Sequence, residues 1–459
     1  MTFQSMMILI AVLGQVSAGV GGQQGPTRIA LEPAPAPVDN PMKGLVPYAG
    51  QGRGFPHSLE FDYVALSEVM TGYDSFDWEP LERRLDAIAG RGNQAVFRVF
   101  LEYPGRLGVI PGFLVRDGLT VHRYEVADTD GKEVETPDYE DERLRRALRG
   151  FIRAMGERYD GDPRLGFLTA GLLGHWGEWH TYPRGELFAS KAVQEEVLDA
   201  FEESFTTTPV LLRYPAGDDH DRMASNAGRG FGYHDDSFAW ATLETGRRQD
   251  FWYFVPLLKA AGPGAWEKWE TEPIGGEIRP EAWGRIFDED PGDDRIQDFR
   301  TCVEQTHASW LLDSGMSRRN VPEARKARAE EEVRRMGYAF HVPAVEIGPV
   351  RDGERSVTIE VENRGVAPFY VDWTPQLGLL GDDGDLETLP CEGSLIGLLP
   401  GDPARRWTGT IAIDPGRSGP VTVMLRVPNP LPNGRPIRFA NATQDADRPG
   451  WLTLGTVAP

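Results

Sequence analysis

The sequence predicts an α/β protein in which a (β/α)8 barrel of the TIM type is followed by a smaller C-terminal β-sandwich domain. From residue 43 to about residue 338, short apolar runs of strand type alternate with amphipathic runs of helical periodicity. This alternation is typical of a parallel sheet wrapped by helices. After about residue 343, residues 356–362 alternate strictly between polar and apolar side chains among turns rich in proline and glycine, which is typical of a sandwich.

Eight candidate strands account for the barrel. They are residues 44–48, 63–70, 95–101, 165–172, 210–213, 230–233, 273–277 and 309–312. Leu144 and Phe151 belong to a helical repeat after the third strand, and Val193 and Val197 to one after the fourth, with Ser190 as its predicted N-cap. A doubly wound open sheet is the alternative, but the Gly-x-Gly-x-x-Gly of its dinucleotide-binding form does not follow the first strand.

The N-terminus has the pattern of an export signal. Residues 6–13 are an apolar run, and the small residues that follow it end at Ala18, before Gly19. This predicts a secretory signal peptide over residues 1–18 and a secreted or periplasmic protein. The segment before the apolar run carries no Lys or Arg, so a buried N-terminal strand is the alternative.

The predicted organisation follows from these patterns. It is a signal peptide over residues 1–18, a tether rich in proline and glycine over residues 19–39, the barrel over residues 40–342 and the sandwich over residues 343–459. Residues 318–335 form a highly charged helix, which we interpret as the solvated last helix of the barrel.

Composition limits the possible partners. The 459 residues include 48 Lys and Arg against 70 Asp and Glu, a net charge of −22 that argues against nucleic acid and anionic lipid surfaces. Cys302 and Cys391 are the only cysteines, which excludes a disulfide framework and a cysteine zinc site but leaves open whether the two pair. Beyond the N-terminus no apolar run approaches the roughly 20 residues that a membrane span needs.

The most informative stretch is Gly171 to Pro183, which contains Gly-His-Trp-Gly-Glu-Trp-His at the end of the fourth strand. Barrel enzymes carry their chemistry at the carboxyl ends of strands. If the fourth strand continues through this stretch, the side chains of Trp176, Glu178 and His180 lie on the same side of it. A carboxyl group among aromatic side chains suits a sugar, because aromatic faces cover its apolar side and an apolar wall raises the carboxyl pKa. A structural Glu178 in a tryptophan-rich rim is the alternative.

A second carboxylate, Glu277, follows two glycines at the end of the seventh strand. Glycine allows close approach to the backbone there, although a helix cap or a loop salt bridge would explain the same local pattern. Strands four and seven face each other across the barrel axis, so Glu178 and Glu277 can flank one bond of a substrate. Glycoside hydrolysis requires two carboxyl groups placed in this way.

Other strand ends offer hydroxyl-binding groups. The predicted substrate-binding residues are Trp176, Trp179, His180, Arg98, Glu102, Arg213, His234, Asp236 and Asp313. Each of them by itself also has a structural explanation, and Arg98 in particular could pair with Glu102 inside the barrel. The long polar segment over residues 107–140 predicts a loop or small hairpin over the barrel mouth.

The sequence predicts neither a metal nor an organic cofactor. Glu178 and His180, with Asp235 or His234, are ligand types that Zn²⁺ or Mn²⁺ accepts, but neither a His-x-His on the first strand nor a His-Glu-x-x-His helix is present. A Ser-His-Asp triad is also disfavoured, because the sequence has no Gly-x-Ser-x-Gly elbow.

These motifs together resemble a family of bacterial secreted proteins. The motifs are residues 40–44, 159–164, 174–180, 233–238, 275–277 and 362–368. They resemble a domain-of-unknown-function family that pairs a glycoside-hydrolase-like barrel with a C-terminal β-sandwich. The resemblance implies an extracellular barrel whose acid/base and nucleophile match Glu178 and Glu277, and it covers the chain from Asn40 onward. The family pattern has Asn where this chain has Asp235.

The predicted function is a secreted glycoside hydrolase that cleaves a poly- or oligosaccharide by a retaining two-carboxylate mechanism, with Glu178 as acid/base and Glu277 as nucleophile. A non-catalytic carbohydrate-binding or cell-envelope protein on the same scaffold is the alternative. Trp373 or Trp407 of the sandwich could bind glycan, but the favoured interpretation is that the sandwich packs on the barrel. The sequence leaves the sugar, the linkage and the oligomeric state open.

Overall fold

The computed structural model describes residues 25–412 and 419–458, so the predicted signal peptide over residues 1–18 lies outside the described residues. The strands are β1 (Thr27–Ala30), β2 (Gly44–Val46), β3 (Leu59–Ala65), β4 (Met70–Gly72), β5 (Ser75–Phe76), β6 (Gln94–Phe100), β7 (Val121–Val126), β8 (Lys132–Pro137), β9 (Leu165–Thr169), β10 (Val210–Leu212), β11 (Gly232–Phe238), β12 (Ile274–Ile278), β13 (Trp310–Leu312), β14 (Phe340–Ile347), β15 (Glu354–Asn363), β16 (Gln376–Gly381), β17 (Leu386–Pro390), β18 (Arg405–Ala412), β19 (Val421–Arg426) and β20 (Leu452–Val457). The α-helices are α1 (Leu66–Val69), α2 (Glu79–Ala89), α3 (Gly112–Arg116), α4 (Glu142–Tyr159), α5 (Lys191–Ser204), α6 (Phe254–Ala260), α7 (Pro263–Trp266), α8 (Phe299–Thr306) and α9 (Glu323–Arg335).

Eight parallel strands form the barrel. They are hydrogen-bonded in the order β2-β13-β12-β11-β10-β9-β6-β3. A parallel bridge between Tyr48 and Phe61 joins the two end strands, and the backbone nitrogen of Phe61 donates to the carbonyl of Pro47 at 2.8 Å. The sheet therefore closes, and the predicted (β/α)8 barrel is confirmed.

Three predicted strands differ most from the observed ones, and the others agree to within one or two residues at each end. The second strand is β3, four residues earlier than predicted, because the apolar residues after it belong to helix α1. The sixth, β11, runs on to Phe238, because its polar residues hid it from an apolar pattern. The fourth, β9, ends at Thr169, and the stretch that carries Glu178 is not a strand.

The helices and the segment over residues 107–140 agree more closely with the predictions from the sequence. Ser190 is the N-cap of helix α5, as predicted, and its hydroxyl accepts a hydrogen bond from the backbone nitrogen of Val193 at 3.4 Å. The segment predicted as a loop or hairpin over the mouth contains α3 and the antiparallel hairpin β7–β8. In the charged helix α9, Ala329 and Val333 are buried.

Two four-stranded antiparallel sheets form the sandwich, in the orders β1-β14-β15-β18 and β17-β16-β19-β20. Strand β1 lies within the predicted tether, so that prediction is wrong over Thr27–Ala30. Thr27 pairs with Ile347 and Ala30 with Ala344. A partner more than 300 positions away leaves no local signal in so short a strand.

The barrel and the sandwich share one apolar core. Phe61 and Trp310 of the barrel belong to the same buried cluster as Phe340 and Val357 of the sandwich. At this junction the Lys43 ammonium is fully buried and donates to the carbonyl of Tyr338 at 2.8 Å, and burial lowers its pKa to about 7.

The remaining sequence candidates in the sandwich are structural. Trp373 and Trp407 are buried in the shared core, so neither offers a glycan-binding face. Cys302 and Cys391 are both buried and free, which answers the question of pairing left open by the sequence. In the part of the chain that the structure describes, no helix combines the length and apolarity needed to cross a bilayer.

Candidate active site

Arg98 lies at the centre of the carboxyl end of the barrel. Its side chain is only 2% exposed, and its guanidinium contacts both predicted catalytic residues: Nη1 donates to Oε1 of Glu178 at 3.2 Å and Nη2 to Oε1 of Glu277 at 2.8 Å. Its Nε donates to the hydroxyl of Thr169 at 2.8 Å. Because one guanidinium bridges the two carboxylates, the bonded oxygens are at most about 8 Å apart.

Glu277 is positioned by strand β12. Besides Arg98, Nε2 of His234 lies 3.4 Å from its Oε1, and the hydroxyl of Tyr63 lies 3.5 Å from both of its oxygens. Burial alone would raise the pKa of Glu277, but the Arg98 charge and the His234 hydrogen bond outweigh it, so the pKa lies below its ordinary value. Glu277 is therefore held as a carboxylate.

Glu178 is positioned by tight turns rather than by a strand. Five residues of this stretch have positive φ angles: Leu172, Gly174, Trp176, Gly177 and Trp179. The backbone nitrogen of Glu178 donates to the carbonyl of His175 at 2.8 Å. The predicted strand alternation from Trp176 to His180 is therefore wrong. Two glycines accommodate part of this path: a side chain at Gly174 would meet the carbonyl of His180 at 2.4 Å.

The electrostatic surroundings of Glu178 differ from those of Glu277. Burial, and then the charges of Asp236 and Glu277, raise its pKa well above the ordinary value, against the lowering effect of Arg98. Its side chain is nevertheless 14% exposed, so it is open to the barrel mouth. Glu178 is therefore the carboxyl group of the pair that binds a proton more tightly.

Asp236 adds a third carboxylate to the mouth. Its Oδ2 accepts a hydrogen bond from Nε of Arg213 at 2.6 Å, and the Arg213 guanidinium lies 3.7 Å from the ring centroid of Tyr214. Burial would raise the pKa of Asp236, but Arg213 outweighs it and the pKa is lowered. Beside the pair is a small recess lined by Trp252, Phe254 and Leu257.

Two aromatic residues of the Glu178 loop stand at the rim. Trp176 is partly exposed and makes an edge contact with Tyr103 at 6.3 Å between ring centroids. His180 is 25% exposed; its Nε2 lies 3.7 Å from Oε2 of Glu178, and its Nδ1 accepts from the backbone nitrogen of Tyr182 at 3.3 Å.

Three predicted substrate-binding residues are corrected by the structure. Trp179 is 3% exposed in the core, and its indole nitrogen donates to the carbonyl of Ala170 at 2.6 Å. Asp313 is buried and accepts from the backbone nitrogens of Gly284 and Met316 at 3.0 and 2.7 Å, so it holds a loop.

Glu102 is the third correction. It is fully buried and does not pair with Arg98; its carboxyl group instead accepts from the hydroxyl of Tyr139 at 2.5 Å and from that of Thr136. Burial raises the pKa of Glu102 to about 8. Tyr139 in turn accepts from the backbone nitrogen of Gly174 at 2.8 Å, so Glu102 supports the Glu178 loop from behind.

Sequence reasoning missed Tyr63 and Trp252. Tyr63 lies directly beside Arg98 in the register of β3 and β6, and its hydroxyl is 3.4 Å from Nη1 of Arg98. Correct bounds for the second strand would have placed Tyr63 on the inner face. Trp252 lies on the loop after β11, where nothing in the sequence pattern sets it apart.

One group of side chains has a spacing suitable for a metal ion. Glu178, His180 and Asp236 each offer one ligand atom, and these atoms lie within 4.8 Å of one another. The sequence paired Glu178 and His180 with Asp235 or His234 instead. Asp235 is buried and bonded by the hydroxyl of Thr242 at 2.6 Å, and His234 faces Arg98 and Glu277.

No family model matches the chain, and no curated protein matches it. Among solved structures it is similar to endo-glycoceramidase II from Rhodococcus sp., at 14% identity over 82% of this chain and 97% of that one, with a TM-score of 0.40. The lactosyl-enzyme intermediate of that protein is similar at 12% identity over 83% and 100%, with a TM-score of 0.38. Endoglucanase Cel5A from Pseudomonas stutzeri is similar at 12% identity over 60% and 81%, with a TM-score of 0.35.

These neighbours are glycoside hydrolases built on a barrel-like parallel sheet. The strand pairing itself establishes that the chain is a (β/α)8 barrel protein with an appended β-sandwich.

Proposed function

We propose that the chain is a secreted glycoside hydrolase that cleaves a poly- or oligosaccharide with retention of configuration. The observation that carries the proposal is the convergence of Glu178, from the loop after the fourth barrel strand, and Glu277, near the end of the seventh, on the guanidinium of Arg98. Two carboxyl groups that flank one open position are the machinery of glycoside hydrolysis.

The environments of the two carboxyl groups support different roles. The raised pKa of Glu178 suits a general acid, and the lowered pKa of Glu277 suits a nucleophile. Opposite shifts in one site separate acid from base in other carboxylate enzymes as well.

The reaction has two steps. Glu178 donates its proton to the glycosidic oxygen while a carboxylate oxygen of Glu277 attacks the anomeric carbon, so that the bond to the leaving sugar breaks and a glycosyl ester forms. Glu178 then takes a proton from water, the resulting hydroxide attacks the anomeric carbon, and the ester bond to Glu277 breaks. Arg98 and His234 hold Glu277 in place during both steps.

The proposal is tested by measuring reducing sugar released from a panel of polysaccharides. Glu178→Gln removes the transferable proton and is expected to lower turnover about 100- to 10,000-fold on an active substrate. Glu277→Gln should abolish turnover, whereas Glu281→Gln, an exposed carboxylate paired with Arg279, serves as the control. Full activity in Glu277→Gln would remove that residue from the mechanism.

The stereochemistry is tested separately. Proton NMR of the first product formed should show the same anomer as the substrate. The opposite anomer would mean that Glu277 activates water instead of forming an ester.

Export is also part of the proposal, because it places the site among polysaccharides outside the cytoplasm. It rests on the apolar segment before Gly19. Expression of the full chain followed by cell fractionation and mass spectrometry should find a protein that begins at Gly19 outside the cytoplasm. An intact N-terminus on cytoplasmic protein would contradict it.

A non-catalytic carbohydrate-binding protein is the second candidate. It is favoured by the two ion pairs that Arg98 makes with Glu178 and Glu277. A cation that neutralises both carboxyl groups would also suit a site that only holds hydroxyl groups. In that case calorimetry would detect glycan binding, the panel would release no sugar, and Glu178→Gln would change neither result.

A further inference from the structure

We propose that Glu178, His180 and Asp236 form a binding site for a divalent cation of the Zn²⁺ class. One ligand atom from each side chain lies within 4.8 Å of those of the other two. Two carboxylate oxygens and one imidazole nitrogen are a donor set that Zn²⁺ accepts, and three protein ligands leave a position for water.

Each carboxylate of the site has an oxygen to offer. Glu178 bonds Arg98 through Oε1, and its Oε2 faces Nε2 of His180 at 3.7 Å. Asp236 bonds Arg213 through Oδ2, so Oδ1 can turn to an ion while the arginine stays in place. The arginines therefore orient both carboxylates, as groups behind the ligands of metal sites commonly do.

The charge balance of the barrel mouth favours a cation. The carboxyl groups of Glu178, Glu277 and Asp236 surround two guanidinium groups, those of Arg98 and Arg213. With all three carboxyl groups ionised, one negative charge remains uncompensated, which a bound cation can balance.

The ligands are accessible and held by the fold. Their side chains are between 11 and 25% exposed, so an ion can enter from the mouth. His180 is fixed by ring contacts with His175 and Trp176, at 5.5 and 6.0 Å between centroids. The loop therefore presents the imidazole before any ion arrives.

The imidazole must change tautomer when it binds. Its Nδ1 accepts a hydrogen bond from the backbone nitrogen of Tyr182 at 3.3 Å, which places the proton of a neutral ring on Nε2. A cation on Nε2 moves this proton to Nδ1 and opens the long contact with Tyr182. Binding thus has a spectroscopic signature in the nitrogen chemical shifts of His180.

Isothermal titration of the full chain with ZnCl₂, after dialysis against a chelator, tests the site. We expect one Zn²⁺ per chain, about 100-fold weaker binding in His180→Gln and in Asp236→Asn, and unchanged binding in His122→Gln. His122 is an exposed histidine of strand β7 and serves as the matched control. Melting temperatures in EDTA show whether the variants are folded.

Two results would overturn the proposal. If Zn²⁺ binds the His180 and Asp236 variants as tightly as it binds the parent chain, the zinc is adventitious and lies elsewhere on the surface. A crystal soaked in Zn²⁺ without an anomalous peak among the three side chains contradicts the site even if the variants fail to fold.

Zinc bound at this site should also affect hydrolysis, and this expectation rests on the proposed function. A cation bound to the Glu178 carboxylate occupies the proposed general acid, so ZnCl₂ should inhibit hydrolysis and EDTA should restore it. If the three residues bind zinc but the chain releases no sugar even in EDTA, the proposed function is contradicted and the cation site stands. Hydrolysis without zinc binding would do the reverse.

Discussion

At the scale of the residue, Arg98 organises the site because its neighbours in the sheet surround it. Tyr63 and Thr169 are its partners in the adjacent strands β3 and β9, and its guanidinium reaches the two acidic residues beyond them. A guanidinium stays charged when buried, so it can hold carboxylates where a lysine would lose its proton.

Arg98→Met should destabilise the protein by about 3–5 kcal/mol at pH 7, because two partly buried carboxyl groups lose their shared cation. Arg98 holds the folded-state pKa of Glu277 below its unfolded value. That stabilisation is present above the unfolded pKa and is lost as the pH falls through the folded value. The difference in free energy of unfolding between Arg98→Met and the parent chain, measured by urea denaturation, should therefore be smaller at about pH 3 than at pH 7. An equal difference at both pH values would contradict this role.

Glu102 predicts the opposite dependence on pH. Its pKa is raised to about 8, so between pH 5 and 8 the unfolded state releases a proton that the folded state keeps, and stability falls as the pH rises. Glu102→Gln should remove this loss, and we expect its free energy of unfolding relative to the parent chain to rise by about 1–3 kcal/mol from pH 5 to pH 8. Urea denaturation at both pH values checks this. A constant difference would show that Glu102 is ionised in the folded state.

At the scale of the element, strands β12 and β13 form the floor of the site. Gly275 pairs with Trp310, and the Trp310 indole packs under His234 at 5.6 Å between ring centroids. A side chain at Gly275 would lie 2.1 Å from that indole, so only glycine leaves room for it. The close approach of the two strands thus sets the position of His234 beside Glu277.

Gly275→Ala is expected to cost about 1–3 kcal/mol, because the indole of Trp310 must move in a packed core. Thermal denaturation followed by circular dichroism measures the loss. Gly228→Ala is the control, since a side chain there meets nothing within 4 Å. Equal melting temperatures for the two variants would mean that the floor adapts freely.

At the scale of the whole molecule, the shared core couples the barrel to the sandwich. Strand β1, at the N-terminal end of the described chain, completes a sandwich sheet, and Lys43 at the start of the barrel bonds carbonyl groups of Tyr338 and Arg334. We expect contacts of this kind to join the two parts into one cooperative unit.

The molecule should therefore unfold in a single calorimetric transition, with equal calorimetric and van't Hoff enthalpies. Trp407→Ala, in the sandwich, should lower that one transition by removing about 3–5 kcal/mol of packing. Two separate transitions, of which only one moves in the variant, would show that the domains fold independently.

The sequence by itself determined the barrel. Each βα unit buries its own apolar face, so the spacing of apolar residues along the chain shows where its strand and helix lie. It also picked out Glu178, Glu277 and Arg98, since polar residues at the ends of apolar strands stand out. Only the tertiary structure decided that Arg98 bonds both acids, that Trp179 and Glu102 are buried, and that β1 belongs to the sandwich. Those outcomes depend on contacts between residues far apart in the chain, which leave no local period to read.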